Sequence, residues 1–203
     1  MHNEILTKEQ LELAPLIRSF SRSFGLVGGT AIALHIGHRR SIDFDLFTHK
    51  KFNNTNLIRK ISKYKPIQEI IVNKEGEFTF LINNVKVTFY QFPYKLEFDK
   101  KFKDLIRTVD LLTLAAMKAF ALGQRAKWKD YVDLYFIMEK YHGIDGIIKK
   151  ARALFGSHFN EKIFRTQLSY FKDVSYLEKV EFLPGFEVDE KTIKKELAKY
   201  STT

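Results

Sequence analysis

Two aspartates separated by one residue, Asp43 and Asp45, are the side chains of this sequence best placed to do chemistry. On a β-strand, their carboxylates would point to the same face, about 6–7 Å apart along the chain. Two carboxylates aimed at one point repel each other unless a cation lies between them. Oxygen ligands of this kind suit Mg²⁺, which proteins usually share with substrate phosphates. The pair therefore predicts a metal site for Mg²⁺, with Mn²⁺ as the alternative ion.

A glycine pair precedes these aspartates, in the segment Gly28-Gly29-Thr30 that follows a short apolar run. Glycine lets a ligand approach the backbone closely, and a helix starting here would offer N–H groups and its positive dipole end to phosphate. A phosphate-binding turn beside a carboxylate pair is the equipment for phosphoryl or nucleotidyl transfer. Each signal alone also has an ordinary explanation, a simple turn for the glycines and a solvated strand edge for the aspartates. On spacing alone, both interpretations stay open.

Local sequence signals predict the elements that position these residues. Thr7 and Gln10 form a capping-box pattern, and apolar residues at helical spacing, including Leu11, continue this first helix to Phe20. Three further elements are expected around the glycines and aspartates: a strand at 24–27, a helix at 30–36 and a strand of period two at 42–47.

The rest of the chain divides into strands and then helices. Alternating apolar residues on both sides of Asn83-Asn84 predict a β-hairpin over 78–89. Helical patterns cover 110–122 and 127–141, and Asp189 is expected to cap a last, lysine-rich helix. We therefore predict an α+β domain over residues 1–105 and a helical domain over 106–203.

Composition narrows the classes of function. The chain of 203 residues carries 34 Lys and Arg against 24 Asp and Glu, a net charge of +10 that suits an anionic partner such as nucleic acid or nucleotide. The absence of cysteine excludes disulfide scaffolds, thiolate metal sites and cysteine nucleophiles. There is no secretory signal pattern and no apolar run near the ~20 residues that span a bilayer. We expect a cytoplasmic protein with no membrane partner.

Residues 28–47 carry a specific resemblance, reading GGTAIALHIGHRRSIDFDLF. This block resembles the signature of the nucleotidyltransferase superfamily, in particular its AbiEii/AbiGii toxin-like branch, whose members are similar to G-G-T-A-L-x-L-x-x-G-H-R-x-S-x-D-x-D-L-F. The resemblance implies a polymerase-β-like core, a mixed sheet with flanking helices, followed by a C-terminal helical bundle. With the physical argument above, it assigns nucleotide binding to Gly28, Gly29, Thr30 and the basic-loop residue Arg39, and metal binding to Asp43 and Asp45.

A second block, at 115–118 and 125–134, is similar to the lysine helix and the [KR]-D-x-x-D-L helix of the same family. By resemblance, Lys118 contacts nucleotide phosphates, and Asp130 or Asp133 completes the acidic site or orients basic residues. From the residues alone, the two aspartates are explained more simply by the helix dipole and by a surface pair of Lys129 with Asp133. The small, apolar neighbours of Lys118 favour a partly buried amine, although an exposed helix lysine is the alternative.

One departure from the family pattern concerns a third metal-binding acid, which many nucleotidyltransferases carry on a later strand. The best counterpart here is the strand 85–90, where Thr88 occupies the polar face and no acid appears. Threonine cannot serve as a carboxylate base. The third acid then comes from elsewhere, with Asp130 and Asp133 as candidates, or catalysis is weak or lost.

These observations favour an enzyme that uses an NTP and Mg²⁺ to transfer a nucleoside monophosphate to an acceptor, for example the 3′ end of a tRNA or a protein hydroxyl. We predict Asp43, Asp45, Lys118, Asp130 and Asp133 as catalytic residues. The resemblance implies a toxin of a bacterial toxin–antitoxin or abortive-infection system, with a cognate antitoxin as partner. Two alternatives stay open: a degenerate fold that binds nucleotide or RNA without transfer, and a plain interaction protein.

The sequence shows no interleaving of basic and aromatic residues of the kind that forms a platform for single-stranded nucleic acid. The lysine-rich segment Lys191–Lys199 is explained as a solvated helix face, with contact to an RNA backbone as the alternative. Any RNA-binding surface is therefore left unlocated by the sequence.

Overall fold

The structure, a computed structural model, describes residues 2–102 and 105–203. Two compact units divide the chain, residues 1–110 and residues 111–203. The division predicted between 105 and 106 falls earlier. It would detach the strand Ile106–Thr108, which pairs within the sheet of the first unit.

The described residues form eight α-helices and seven β-strands. The helices are α1 (Lys8–Arg18), α2 (Gly28–Ile36), α3 (Asn54–Ser62), α4 (Leu111–Leu122), α5 (Trp128–Lys140), α6 (Ile144–Phe155), α7 (Glu161–Ser169) and α8 (Glu190–Tyr200). The strands are β1 (Gly25–Val27), β2 (Phe44–Thr48), β3 (Glu69–Lys74), β4 (Glu77–Ile82), β5 (Val85–Gln91), β6 (Lys100–Phe102) and β7 (Ile106–Thr108). Short 3₁₀ turns occupy Asn3–Ile5 and Gly156–His158.

Short-range signals explain several element ends. The backbone N–H of Gln10 donates to the Thr7 hydroxyl, and the N–H of Thr7 donates to the Gln10 side chain, which completes the predicted capping box of α1. Asn83 and Asn84 take φ angles of 51° and 59° and form the predicted two-residue turn between β4 and β5. Asp189 caps α8 as predicted. These predictions are confirmed. Each feature depends on residues only a few positions apart, so it can be recognised in the sequence.

The seven strands form one mixed sheet in the order β3-β4-β5-β2-β1-β7-β6. The pairs β5–β2 and β1–β7 are parallel, and the other neighbouring pairs are antiparallel. The predicted α+β class with a mixed sheet and flanking helices is confirmed. The strands at the centre are β5, β2 and β1, so Asp45 lies in the middle of the sheet rather than at its edge.

The two faces of the central strands differ in exposure. Residues of one face are fully or almost fully buried, among them Phe44, Leu46, Phe80, Val87 and Phe89. On the other face, Asp45 and Thr88 are only half-buried. A side-chain period of two on strands buried on one side produces this pattern.

The predicted strand at 42–47 is shorter at its start than expected. Strand β2 begins at Phe44, and Ile42 is 50% exposed. Asp45 is therefore a strand residue, whereas Asp43 lies one residue before the strand.

Helix α2 follows strand β1 without an intervening loop, because Val27 ends the strand and Gly28 begins the helix. The sequence predicts this helix from Thr30. The two glycines belong to its first turn, and no side chain of the N-cap residue, Val27, caps the helix start. The N–H groups of this turn therefore lie at the end of a central strand.

The second unit is helical, as predicted, and is built around α5, in which ten residues between Trp128 and Met138 are buried. Stacking of Phe120 on Phe155, with ring centroids 4.2 Å apart, joins α4 to α6. None of the helices in residues 2–102 and 105–203 has the length and hydropathy of a membrane-spanning segment.

Candidate active site

The carboxylate of Asp45 lies against the backbone of Gly28. Gly28 has a φ angle of +74°, and a Cβ atom at this position would come 2.2 Å from Asp45 Oδ2. Register explains the approach, because Asp45 in β2 pairs with Val27, the residue before Gly28, in β1. Only glycine permits both the backbone angle and the close carboxylate. The predicted meeting of the glycine turn with an aspartate is thus present in the geometry.

Asp43 is fixed through its backbone rather than through a strand. The Thr30 hydroxyl, on the first turn of α2, donates to the carbonyl oxygen of Asp43 and lies 2.9 Å from Ser41 Oγ. The Gln10 side-chain amide donates to the carbonyl of Ser41 at 3.0 Å. Thr30 is 1% exposed, so its side chain ties the segment before β2 to α2. The predicted contact of Thr30 with phosphate stays a prediction. Its hydroxyl is engaged in these hydrogen bonds, so the backbone N–H of Thr30 is the group that would make that contact.

Arg39 supports the second glycine. A Cβ atom at Gly29 would come 2.6 Å from Nη2 of Arg39, and Nη1 of Arg39 donates to the carbonyl of Arg40 at 2.9 Å. The arginine is 1% exposed. Its guanidinium therefore packs behind the turn, which gives it a positioning role, and its predicted contact with nucleotide stays a prediction.

Thr88 occupies the place beside Asp45 on the neighbouring strand. Asp45 and Thr88 are register partners in the parallel pair β2–β5, so their side chains share a face of the sheet. The hydroxyl of Thr79, from β4, donates to the Thr88 hydroxyl at 3.3 Å. The position that sequence comparison singles out for a third acid therefore does adjoin Asp45, and it holds a neutral hydroxyl.

Lys86 pairs with Asp43, a contact that sequence reasoning missed. Its Nζ lies 2.8 Å from Asp43 Oδ2, and the two side chains are 38% and 27% exposed. Ion pairs at such exposure contribute about 0–1 kcal/mol. A divalent cation can therefore compete with the lysine for this carboxylate. Period-two alternation already places Lys86 on the same face as Thr88, but the pairing of β5 with β2 was needed to bring it to Asp43.

The donor set at this corner fits a magnesium ion that is shared with a substrate. Within the described residues, no cluster of three or more His, Asp or Glu side chains could hold a metal ion. Asp43 and Asp45 supply two half-buried carboxylates. Mg²⁺ is commonly held by one or two carboxylates, with waters and substrate phosphates completing its octahedral shell. Two carboxylates beside the start of helix α2 meet that requirement.

The second unit contains a separate, buried cluster of charges. Lys118 Nζ pairs with Asp130 Oδ1 and lies 3.1 Å from Asp133 Oδ2. The two aspartates are 1% and 0% exposed, and Lys118 is 7% exposed. The surface pair of Lys129 with Asp133 that the sequence suggested is not formed. Lys129 pairs with Glu178 instead, at 2.9 Å. The three residues that the family resemblance selects in this unit therefore form one group.

Arg125, also missed by the sequence analysis, joins this cluster. Its Nε lies 3.2 Å from Asp130 Oδ2, and its side chain is 52% exposed. Two carboxylates, one ammonium and one guanidinium balance to zero charge. The arginine is the member through which this cluster meets solvent, and its position five residues before Asp130 was the available signal.

Comparison with known proteins agrees with these observations. The family described as "Nucleotidyl transferase AbiEii toxin, Type IV TA system" matches residues 86–200. An uncharacterized protein of Aquifex aeolicus is 33% identical over 204 residues, covering 96% of this chain and 97% of the relative.

Two solved structures share the fold at low sequence identity. JHP933 from Helicobacter pylori has a TM-score of 0.64 at 17% identity, covering 97% of this chain and 92% of that chain. MenT4, a nucleotidyltransferase toxin from Mycobacterium tuberculosis, has a TM-score of 0.60 at 11% identity, covering 96% and 84%. Since the family match spans more than half of the sequence, the chain belongs to the AbiEii nucleotidyl transferase toxin family.

Proposed function

We propose that this chain is an active nucleotidyltransferase toxin that uses Mg²⁺, or Mn²⁺, to transfer a nucleoside monophosphate from an NTP to an RNA acceptor such as the 3′ end of a tRNA. It would act in the cytoplasm under the control of a cognate antitoxin. The observation that carries the proposal is the contact of the Asp45 carboxylate with Gly28 at the start of α2. The net charge of +10 supports a polyanionic acceptor.

In this proposal, the first turn of α2 holds the triphosphate. Backbone N–H groups of Gly28, Gly29 and Thr30 donate to phosphate oxygens, and the helix dipole favours their negative charge. Asp43 and Asp45 hold the divalent ion, which when bound neutralises charge at the α-phosphoryl group and activates the acceptor hydroxyl. Thr30 keeps Asp43 in place through its backbone carbonyl. Arg39 keeps Gly29 in place.

For the second unit, we propose that Asp130 and Asp133 orient basic residues rather than bind metal. Both carboxylates are buried and paired with Lys118, so a metal ion would have to displace a buried ammonium. Lys118 is our candidate for neutralising triphosphate charge. The half-exposed Arg125 is a second candidate for that role.

The transfer reaction is tested with radiolabelled NTPs, Mg²⁺ and total RNA, using the full chain, Asp45→Asn and Asp43→Asn. Asp99→Asn is the matched control, because Asp99 is an exposed aspartate of the same unit that pairs with its neighbour Lys100. We expect at least a hundredfold loss of labelling in both site variants and no change in the control. Equal labelling in all four proteins would contradict the proposal, and labelled protein in place of RNA would replace the RNA acceptor.

A second function, binding of nucleotide or RNA without transfer, is favoured by one observation. The neighbour of Asp45 on β5 is Thr88 instead of an acid, and Lys86 already neutralises Asp43. Calorimetric titration with GTP and with ATP, combined with an assay for released pyrophosphate, separates the two functions. Tight binding without pyrophosphate in the presence of RNA supports the degenerate fold.

A further inference from the structure

A cavity lies in the first unit, at the other end of strand β2 from Asp45. It has a volume of about 300 Å³ and is bordered by Thr48, the last residue of β2. Thr48 lies three positions after Asp45, which corresponds to about 10 Å along a strand. Alternation also places the two side chains on opposite faces of the sheet. This cavity is therefore distinct from the glycine corner.

The wall of the cavity is aromatic. Phe20, Phe24 and Phe52 line it, and the ring centroids of Phe24 and Phe52 are 5.3 Å apart. Phe20 and Phe24 are almost fully buried, whereas Phe52 is half-buried. Phe52 therefore retains exposed ring surface on which a planar group can stack.

The rim of the cavity is positive. Lys50, Lys51 and Lys60 border it, and no Asp or Glu does so within the described residues. Lys51 pairs with Glu75 at 3.6 Å, but both side chains are more than four-fifths exposed, so the pair contributes little. The rim thus carries a positive charge that its own surroundings do not cancel.

Lys60 is held at the cavity without a carboxylate partner in the described part of the chain. Its Nζ donates to the carbonyl of Ser19 at 2.7 Å and lies 4.2 Å from the ring centroid of Phe20. Partial burial lowers the pKa of this lysine. The attraction of an anion beside this ammonium group would offset the cost of its desolvation.

We propose that this cavity binds one nucleotide of a single-stranded RNA, with its base against Phe52 and its flanking phosphates at Lys50, Lys51 and Lys60. Stacking on aromatic rings combined with lysine contacts to phosphates is how proteins hold single strands without sequence preference. The side-chain amide of Asn56, also at the cavity, offers a donor and an acceptor to a base edge. The volume is at the lower end of small-ligand pockets and suits a single nucleotide unit.

A strand fits the cavity better than a free nucleoside triphosphate does. The lysines stand on two elements, Lys50 and Lys51 on the segment after β2 and Lys60 on α3, so they flank the aromatic wall. A triphosphate instead requires adjacent donors, usually from a glycine-rich turn at a helix start. The start of α3 has its Asn56 N–H occupied by the side chain of Asn53.

The sequence does not indicate such a platform, because its basic and aromatic residues do not alternate along the chain. Here Phe20 and Phe24 come from the segment before β1, and Phe52 comes from the segment after β2. The antiparallel pairing of β1 with β2 brings these two segments to the same end of the sheet. The proposed platform is therefore assembled by the fold and does not show as a pattern along the sequence.

The site is tested by fluorescence anisotropy with a 5′-labelled 12-nucleotide oligo(U) RNA, in EDTA and without NTP, using the full chain. Lys50→Ala/Lys51→Ala is compared with Lys191→Ala/Lys195→Ala, which removes the same charge from exposed positions on α8. We expect about a tenfold loss of affinity and a shallower salt dependence only in the first pair. Equal losses in the two pairs would overturn the proposal in favour of general charge attraction.

Phe52→Leu tests the stacking contact, because leucine keeps an apolar side chain and removes the ring. We expect a fivefold to tenfold loss of RNA affinity at unchanged thermal stability. Unchanged affinity would overturn the stacking role. Competition by free UMP or UTP at the concentration of the oligonucleotide would overturn the strand in favour of a free nucleotide. Because the assay contains neither metal nor NTP, failure of the transfer reaction leaves this result unaffected.

Discussion

The two units of the chain use the same kinds of charged side chain under opposite conditions. In the first unit, Asp43 and Asp45 are half-buried, and the one lysine at Asp43 is itself 38% exposed. In the second unit, Asp130 and Asp133 are buried, and both pair with a lysine that is only 7% exposed. The first arrangement can exchange its partner for an incoming cation, whereas the second is already satisfied.

This difference in burial sets what the loss of each carboxylate costs the fold. Removing a half-exposed carboxylate costs little stability, because its partner is already in contact with water. Such a carboxylate is therefore not needed for folding and is available to a ligand. Removing one of the buried carboxylates takes away one of the two acidic partners of a buried ammonium, in a region that is little exposed to water. Sequence motifs do not distinguish the two situations, because each contains two aspartates at short spacing and each has a lysine partner elsewhere in the chain.

The strongest test of this comparison is the same substitution in both units. We expect Asp133→Ala to lower the free energy of unfolding by about 3 kcal/mol, because Lys118 loses a buried partner. Asp43→Ala should change it by less than about 1 kcal/mol. Urea denaturation measures both, and similar values would break the comparison. The double variant Lys118→Met/Asp133→Leu should recover part of the loss, since it removes charge from both sides.

Gly28→Ala tests whether the glycine corner depends on close approach. The added methyl group would displace the Asp45 carboxylate, and we expect about a tenfold loss of nucleotide transfer or metal binding. Gly185→Ala is the matched control, because Gly185 also has a positive φ, of +85°, but nothing lies within 4 Å of the added atom. Both variants should lose about 1 kcal/mol of stability from backbone strain. Only Gly28→Ala should affect the site.

Thr88→Asp should convert the two-carboxylate set into a three-carboxylate set. Its register beside Asp45 predicts a severalfold tighter binding of Mn²⁺ in the absence of NTP, measured by calorimetry. Thr88→Asn is the neutral control of similar size and should leave the affinity unchanged. No difference between the two variants would mean that the side chain at 88 does not reach the ion.

The smallest effect concerns Glu178, which pairs with Lys127 and Lys129 at intermediate exposure. Burial of this carboxyl opposes its ionisation, but hydrogen bonds from the two lysines outweigh burial and lower its pKa from 4.5 to about 2. Its contribution to stability is therefore present above pH 4.5 and is lost as the pH falls toward 2.

Glu178→Gln should flatten the pH dependence of unfolding in that window, by less than about 1 kcal/mol because the group is partly solvated. Urea titrations between pH 5 and pH 3 measure the slope. Glu75→Gln, at an exposed pair, is the control and should leave the slope as it is. An unchanged slope in Glu178→Gln would mean that exposure alone, rather than pairing, sets the energetic rank of these carboxylates.

Short-range features of the fold could be read from the sequence, and non-local ones could not. The capping box at Thr7 and the turn at Asn83-Asn84 need only neighbouring residues. Helical spacing placed Leu11 on the apolar face of α1, yet it is 51% exposed, because spacing does not say how wide a face of the helix is covered. The strand order could not be derived, since pairing β2 with the distant β5 depends on tertiary packing.

The candidate site divides in the same way. The contact of Asp45 with Gly28 could be anticipated, because Gly28 directly follows β1 and Asp45 lies near the start of β2, the next strand along the chain. The ion pair of Lys86 with Asp43 required knowledge of the β5–β2 register. The burial of Asp130 and Asp133 could not be derived from the sequence, because helix position alone does not show which faces of α5 its neighbours cover.

The direct passage of strand β1 into helix α2 has a consequence for how the corner can respond to a ligand. With Val27 in the sheet and Gly28 in the helix, there is no hinge segment between them. The backbone N–H groups of the first turn of α2 are consequently attached directly to the end of a central strand. Movement at this corner is then left to side chains such as Asp43 and Lys86, whose positions can change without moving the main chain.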